Sequence, residues 1–222
     1  MAGTNWEGMD SEVANKVREL SAAYLENAEN IPTEITSWAN QERQTWGGGY
    51  EGRTIHELIQ NGADEILRWV EDPTKKSFKS GGIRVVLTSS ALYCANEGHP
   101  LTPEGVSTLL SNNLSYKTGN EIGRFGVGFK AGLPVTDRPE IYSATGSLGF
   151  DRGRSHRAFS RISPGSLAKE RVPVLRIADP IDPGEAFVDD DILTELADGG
   201  ASPIVKLPFK PKVAGQPAMA TG

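Results

Sequence analysis

Residues 55–68, IHELIQNGADEILR, decide how the rest of the chain is read. Successive residues of an α-helix rotate by about 100°. Glu57, Asn61, Asp64 and Arg68 then fall in one narrow polar stripe, and Ile55, Leu58, Ile59, Ala63, Ile66 and Val70 point roughly the other way. Either the stripe is a solvated face, as on most amphipathic helices, or it faces something held inside the protein. Two details weigh against the solvated reading. Asn61 and Gly62 are poor mid-helix residues, and a glycine there costs about 1 kcal/mol against alanine, so close approach of another backbone is expected. Glu57 and Asn61 also stand one turn apart, where a carboxylate and an amide oxygen can serve one ligand together.

Working outward, apolar periodicity predicts helices over 11–28, 32–46 and 53–71, the last stopped by Asp72-Pro73. Strands are expected at 83–90 and 91–95, joined as a hairpin over Ser89-Ser90, then a short helix at 102–110 and a polar loop at 111–121. The stretch 123–135 has helical apolar spacing with many glycines. Further strands are expected at 139–145, 147–151, 156–162, 172–178 and 202–209, with a capped helix at 189–200. Three helices followed by strands mixed with short helices predict an α/β (α+β) layer rather than a regular βαβ alternation. The expected organisation is a helical extension over 1–50, a domain over 51–210, and a tail or linker start over 211–222.

The net charge is −6, which argues against general nucleic-acid binding, because phosphate backbones attract basic surfaces. Charge is uneven: residues 1–50 carry eight acids and three bases, and 151–161 carries four arginines and one acid. The arginine cluster reads either as a solvated strand face or as a contact for an anionic partner. The single cysteine, Cys94, permits no internal disulfide and fits a reducing cytoplasm as a buried thiol. No apolar stretch approaches a membrane span, the N-terminus lacks a signal-peptide pattern, and the histidines and cysteine give no zinc spacing.

Two other pieces carry chemistry. In EIGRFGVGFK, 121–130, Gly123, Gly126 and Gly128 are spaced G-x-x-G-x-G. Such glycines either permit tight helix packing or let backbone N–H groups approach a phosphate chain. No Walker P-loop is present. In YCANEGHPLT, 93–102, an apolar strand runs into Asn96-Glu97-Gly98. This is either a plain turn or a strand end positioned to hydrogen-bond a flat base.

The ordered set is E-x-x-x-N-x-x-D on a helix, N-x-G after a strand, a long polar loop, then G-x-x-G-x-G. It resembles the GHKL ATPases, the group of gyrase, MutL, MORC proteins, histidine kinases and the ninety-kilodalton heat-shock chaperones. IGRFGVGFK is similar to the chaperone and MORC versions. TIHELIQNGADE, ANEGHPLTPEGVSTL, LSYKTGNEIGRFGVGFKAGLPVTDRPEIYS and VPVLRIADPID most resemble bacterial proteins with a sacsin-like N-terminal ATP-binding domain, over residues 50 to 210.

The resemblance implies a Bergerat-type two-layer sandwich, a mostly antiparallel sheet covered by helices on one face, binding ATP and Mg²⁺. Glu57 matches the glutamate that deprotonates the attacking water, Asn61 the Mg²⁺ ligand, and Asp64 a supporting acid. Asn96 stands where the family usually has an aspartate that accepts from the adenine amino group. Gly98 matches the first glycine of that box, with Pro100 near the place of a second. Residues 111–122 match a lid from which Lys117 reaches a phosphate. Gly123, Gly126 and Gly128, with the N–H groups of Arg124, Phe125 and Val127, match the phosphate cradle, and Ser202 stands near a last-strand threonine. The implied activity is slow ATP hydrolysis coupled to lid closure, as the N-terminal module of a larger assembly. A partner or following domain and a homodimer are family expectations. An ATP-gated interaction module with little turnover and a scaffold without nucleotide are the alternatives.

Overall fold

The computed structural model describes residues 5–47, 53–72, 74, 81–111, 127–165 and 167–211. Its first helix, α1 (Glu12–Asn30), begins where the Ser11 hydroxyl oxygen accepts the N–H of Ala14 at 3.0 Å, satisfying a donor that a helix start leaves open. Val13, Val17 and Ser21 form its buried line, the spacing of one helical face. Next come α2 (Thr33–Gly47) and α3 (Thr54–Glu71). The strands β1 (Ile83–Leu87) and β2 (Ala91–Asn96) form the expected hairpin, paired antiparallel from Ile83 opposite Asn96 to Leu87 opposite Leu92. The Thr88 hydroxyl oxygen organises the turn by accepting the N–H groups of Ser90 and Ala91.

Thr102 caps α4 (Pro103–Leu110), accepting from Gly105 N–H at 3.1 Å with proline at the first helical position. After the short α5 (Val127–Lys130) come β3 (Glu140–Tyr142), β4 (Ser147–Gly149), α6 (Arg152–Ile162), β5 (Asp179–Ile181), α7 (Pro183–Val188), α8 (Asp191–Asp198) and β6 (Ile204–Pro208). The chain is thus of mixed α/β class; among the described residues there is one six-stranded sheet in the order β1-β2-β6-β3-β4-β5, with every neighbouring pair antiparallel. β6 lies between β2 and β3, so the last strand closes the middle of the sheet.

β2 is buried along its whole length, and its period of two separates two packing zones. Ala91, Tyr93 and Ala95 meet Leu193 and Leu196 of α8, while Leu92 and Cys94 meet Leu58 of α3 and Leu207 of β6. Helices therefore lie on both faces, and α8 on the second face goes beyond the one-sided cover expected from the resemblance. The largest cluster joins Val13 and Val17 of α1 to Val106 and Leu109 of α4, Phe129, Ile141, Leu148, Val174 and Leu175. Each such aliphatic or aromatic side chain stabilises the fold by roughly 1.5–3 kcal/mol on burial.

Two expected strands are corrected. Residues 156–162 belong to helix α6, whose buried Arg152, Ser155 and Phe159 follow a helical spacing and whose start is capped by Asp151 accepting from Arg154 N–H. Two of its four arginines are engaged within the chain: Arg152 with Asp137 and Arg154 with Asp179, both at 2.6 Å. Residues 172–178 are buried but form no strand, because side chains take the place of a ladder partner. The Glu42 carboxylate accepts the N–H groups of Val174 and Leu175 at 2.7 and 2.9 Å, and the Ser21 hydroxyl both accepts from Ala178 N–H and donates to its carbonyl. Among the described residues no helix is long and apolar enough to cross a membrane.

Candidate functional site

The helix quoted at the outset, α3, is turned so that Thr54, Leu58, Gly62 and Glu65 form its buried line. Glu57, Asn61, Asp64 and Arg68 run along one flank of that line and are half-buried. The other flank faces outward: Ile55 is 44% exposed, Ile59 39% and Val70 67%. The ordinary arrangement of an amphipathic helix is thus rotated, and the polar flank rather than the row of Ile55, Ile59 and Val70 borders the interior.

Gly62 is small for a local reason. A Cβ there would stand 3.3 Å from the Ile83 side chain and 3.4 Å from Asn96 Oδ1, so the close neighbours are two side chains rather than the backbone expected from the sequence. Asn96, last in β2, is held by its backbone: its N–H donates to the Pro203 carbonyl at 3.2 Å and its carbonyl accepts from Ser202 N–H at 2.9 Å. Its side chain is 7% exposed, and Nδ2 has no hydrogen-bond acceptor. Gly98 lets that amide sit where it does, since a Cβ on Gly98 would lie 3.0 Å from Nδ2.

These groups border a cleft between α3 and the sheet, lined by Asn61, Gly62, Glu65 and Asn96 on its polar side and by Leu58, Cys94, Phe129, Ile141 and Val205 on its apolar side. The empty volume is about 430 Å³ with the open mouth included, and about 30 Å³ of it admits the centre of a water molecule. A planar ring therefore enters only as the lining side chains part. Burial pushes the Cys94 thiol up to about 11, so it serves as an inert wall rather than a nucleophile.

Around this cleft the other residues named from the sequence divide. Ser202 is tied to Asn96 through the backbone, and its hydroxyl oxygen accepts from Ala144 N–H at 3.0 Å. Val127 and Gly128 form the first turn of α5, which packs against α3. Glu57 and Asp64 do not line the cleft. One Asp64 oxygen, Oδ2, is buried with no donor facing it. Lys117, Gly123, Arg124, Phe125 and Gly126 lie outside the described residues, as does most of the expected lid.

Glu65, Glu42, Lys130 and Arg176 are further charged residues that are buried. Glu65 is buried at the cleft; desolvation raises its carboxyl, opposed by Arg68, which donates to it at 2.8 Å, and by His99. Its signal was available, since it stands four residues after Asn61 on the same helix. Glu42 is fully buried under α5; desolvation raises its carboxyl against the N–H groups of Val174 and Leu175 and the charge of Arg176. Lys130, in α5 and 5% exposed, is pulled down to about 8 by burial and by Arg176, with Glu42 acting the other way. Arg176 donates to the carbonyl of Leu110 at 2.7 Å and lies over the rings of Tyr24 and Trp38. This buried charge group joins α1 and α2 to the end of α4 and to α5, the two elements that flank the expected lid.

Among the described residues no group of three or more His, Cys, Asp or Glu side chains could hold a metal ion. Mg²⁺ often takes one or two protein oxygens and completes its shell with water and phosphate, and the amide oxygen of Asn61 at the cleft suits that kind of site. The sequence matches no protein-family model and no curated protein.

Proposed function

We propose that the chain binds Mg·ATP in the cleft between α3 and the sheet and hydrolyses it slowly, acting as the ATPase module of a GHKL-type assembly. The observation that carries this reading is the convergence of Asn61, Gly62 and Asn96 on one cleft, with Asn96 Nδ2 buried and unpartnered beside Gly98. A buried amide donor without a partner costs about 1–3 kcal/mol. The packing of α5 on α3 adds support, because α5 directly continues the glycine-rich run.

In this reading the base lies against Asn96 between Leu58 and Phe129, and Asn61 Oδ1 supplies the protein oxygen for Mg²⁺. The ion, when bound, neutralises charge on the phosphate oxygens. N–H groups of the glycine-rich segment cradle the phosphates, and Glu57 accepts a proton from the attacking water. Cytoplasmic location, homodimerisation and coupling to a partner domain belong to the same proposal.

Glu57→Ala tests the catalytic part. ATP binding should persist within about threefold while turnover disappears, because general-base catalysis alone contributes about 10²–10⁴ in rate. Turnover at the wild-type rate would remove Glu57 from its role. The position of Glu57 beside the cleft rather than in its lining favours one second reading, a module that binds ATP with little turnover. Stoichiometric binding by the wild type with no phosphate release would select it.

A further inference from the structure

The arginine cluster of the sequence becomes a surface in the fold. Residues 152–171 carry six lysines and arginines and one acid, in a chain whose net charge is −6. They include α6 and a single 3₁₀ turn, Lys169–Arg171, that packs on it. Arg152 and Arg154 are held by Asp137 and Asp179. Arg157, Arg161, Lys169 and Arg171 are exposed and make no ion pair among the described residues. Arg157 and Arg161 stand one helical turn apart, on the same side of α6.

Residues 179–198 have the opposite character, with eight acids and no lysine or arginine. They include β5, α7 and α8. Glu185, Asp189 and Asp191 are exposed and make no ion pair among the described residues. Glu185 and Asp189 line, with Asp182, a shallow depression that also has the apolar side chains of Met9, Ile181 and Ala186 in its wall. Such a lining suits an arginine, whose stem is apolar and whose head is a cation. The helices of the two stretches lie on different sides of the sheet. Ile141 and Tyr142 are successive residues of β3 and point to opposite faces. Ile141 shares a core with Val13 and Val17 of α1, on which α6 packs, whereas Tyr142 shares one with Leu193 of α8 and Phe187 of α7. Among the described residues Arg154 with Asp179 is the one ion pair between the two stretches, so their remaining charges do not neutralise each other within the chain.

We propose that the basic face of α6 and its 3₁₀ turn docks onto the acidic α7–α8 face of a second copy, so that copies associate head to tail. Complementary charge names the occupant: two arginines one turn apart meet two carboxylates, Glu185 and Asp189, at the same spacing of four residues. Each copy uses two different faces, so the contact is heterologous and growth is open-ended wherever the rotation does not close a ring. It differs in this from a two-fold dimer, and it does not depend on the nucleotide reading. A nucleic-acid duplex is the poorer fit, since Asp151, Glu170 and Asp179 adjoin the basic residues and the acidic chain as a whole repels phosphate.

Sedimentation of the full chain over a range of concentrations tests this at about 0.1 M and about 1 M salt, where the screening length is about 10 and about 3 Å. At the lower salt the average mass should climb with protein concentration beyond that of a dimer, and at the higher salt it should fall back toward the monomer. Arg157→Gln/Arg161→Gln and Glu185→Gln/Asp189→Asn each neutralise part of one face without removing an ion pair within the described chain, so both should melt as the wild type does. Each alone should associate at least about tenfold more weakly. Mixed in equal amounts, the two variants should form a dimer that does not grow. The intact acidic face of the first takes the intact basic face of the second, and a neutralised face remains at each end. A wild type that stays monomeric at millimolar concentration in the lower salt, that stops at a dimer, or whose association neither salt nor these substitutions weaken would overturn the proposal. So would an equal mixture that forms no dimer, or a short DNA duplex bound through Arg157 and Arg161 in place of a second copy.

Discussion

The Thr54 hydroxyl donates to the carbonyl of Ala131 at 2.7 Å, with both residues buried. This single bond ties the first turn of α3 to the chain just after α5. It fixes the helix that carries Glu57 and Asn61 against the segment that continues the glycine-rich run. Thr54→Val keeps the shape and removes the donor, leaving the Ala131 carbonyl buried and unpaired. Stability should fall by about 1–3 kcal/mol, read as a lower denaturation midpoint. ATP affinity should fall with it, measured at a temperature where the variant is fully folded. Unchanged affinity would mean that the α3–α5 junction does not shape the site.

Gly62→Ala sets two effects against each other. Alanine favours the helix by about 1 kcal/mol, but its Cβ would press on Ile83 at 3.3 Å and Asn96 Oδ1 at 3.4 Å. The Ile83 side chain can shift slightly, so thermal stability should stay within about 1 kcal/mol of wild type. The displaced Asn96 amide should weaken nucleotide binding. A variant with the same affinity as wild type would show that the glycine serves only helix–sheet packing.

The buried lysine gives a prediction with a definite sign. Lys130 is depressed from 10.5 to about 8, chiefly by burial. Between those values the unfolded chain binds the proton and the folded chain does not, so stability rises with pH. That contribution is fully present above 10.5 and is lost as pH falls through 8. Cys94 works oppositely, because its folded thiol titrates near 11 rather than 9 and stability falls as pH rises between those values. The clean measurement is therefore the difference between wild type and Lys130→Met. The variant should gain on wild type by up to about 3 kcal/mol below pH 8, and the gap should close toward pH 10.5. A difference independent of pH would contradict the burial of Lys130. Arg176 and Glu42 are the charges that act on this group, from the 172–178 segment and from α2.

Local pattern made much of this legible. The Ser11, Thr102 and Asp190 starts, the hairpin over Ser89-Ser90 and the last strand follow from capping and alternation, which act over a few residues. What misled was non-local. Residues 172–178 look like a strand by apolarity, but Glu42, more than 130 positions away, takes their N–H groups. Residues 156–162 alternate weakly, and only the Asp151 cap and the burial of Ser155 and Phe159 settle a helix. At the site, Asn61 and Asn96 both line one cleft. The rotation that exposes Ile55, Ile59 and Val70, and the buried Glu65, depend on how α3 sits against β1 and β2. That is a property of packing, which helical periodicity alone does not determine.

The claim on which the functional account rests is that Asn61 supplies the metal-binding oxygen of a nucleotide cleft. Calorimetric titration of the chain with ATP, with and without Mg²⁺, for wild type and Asn61→Ala, tests it most directly. The account predicts that wild type binds ATP more tightly with Mg²⁺, and that Asn61→Ala loses most of this metal-dependent gain while keeping its metal-free affinity. No heat and no melting shift at millimolar ATP in the wild type, or equal losses with and without Mg²⁺ in the variant, would contradict it.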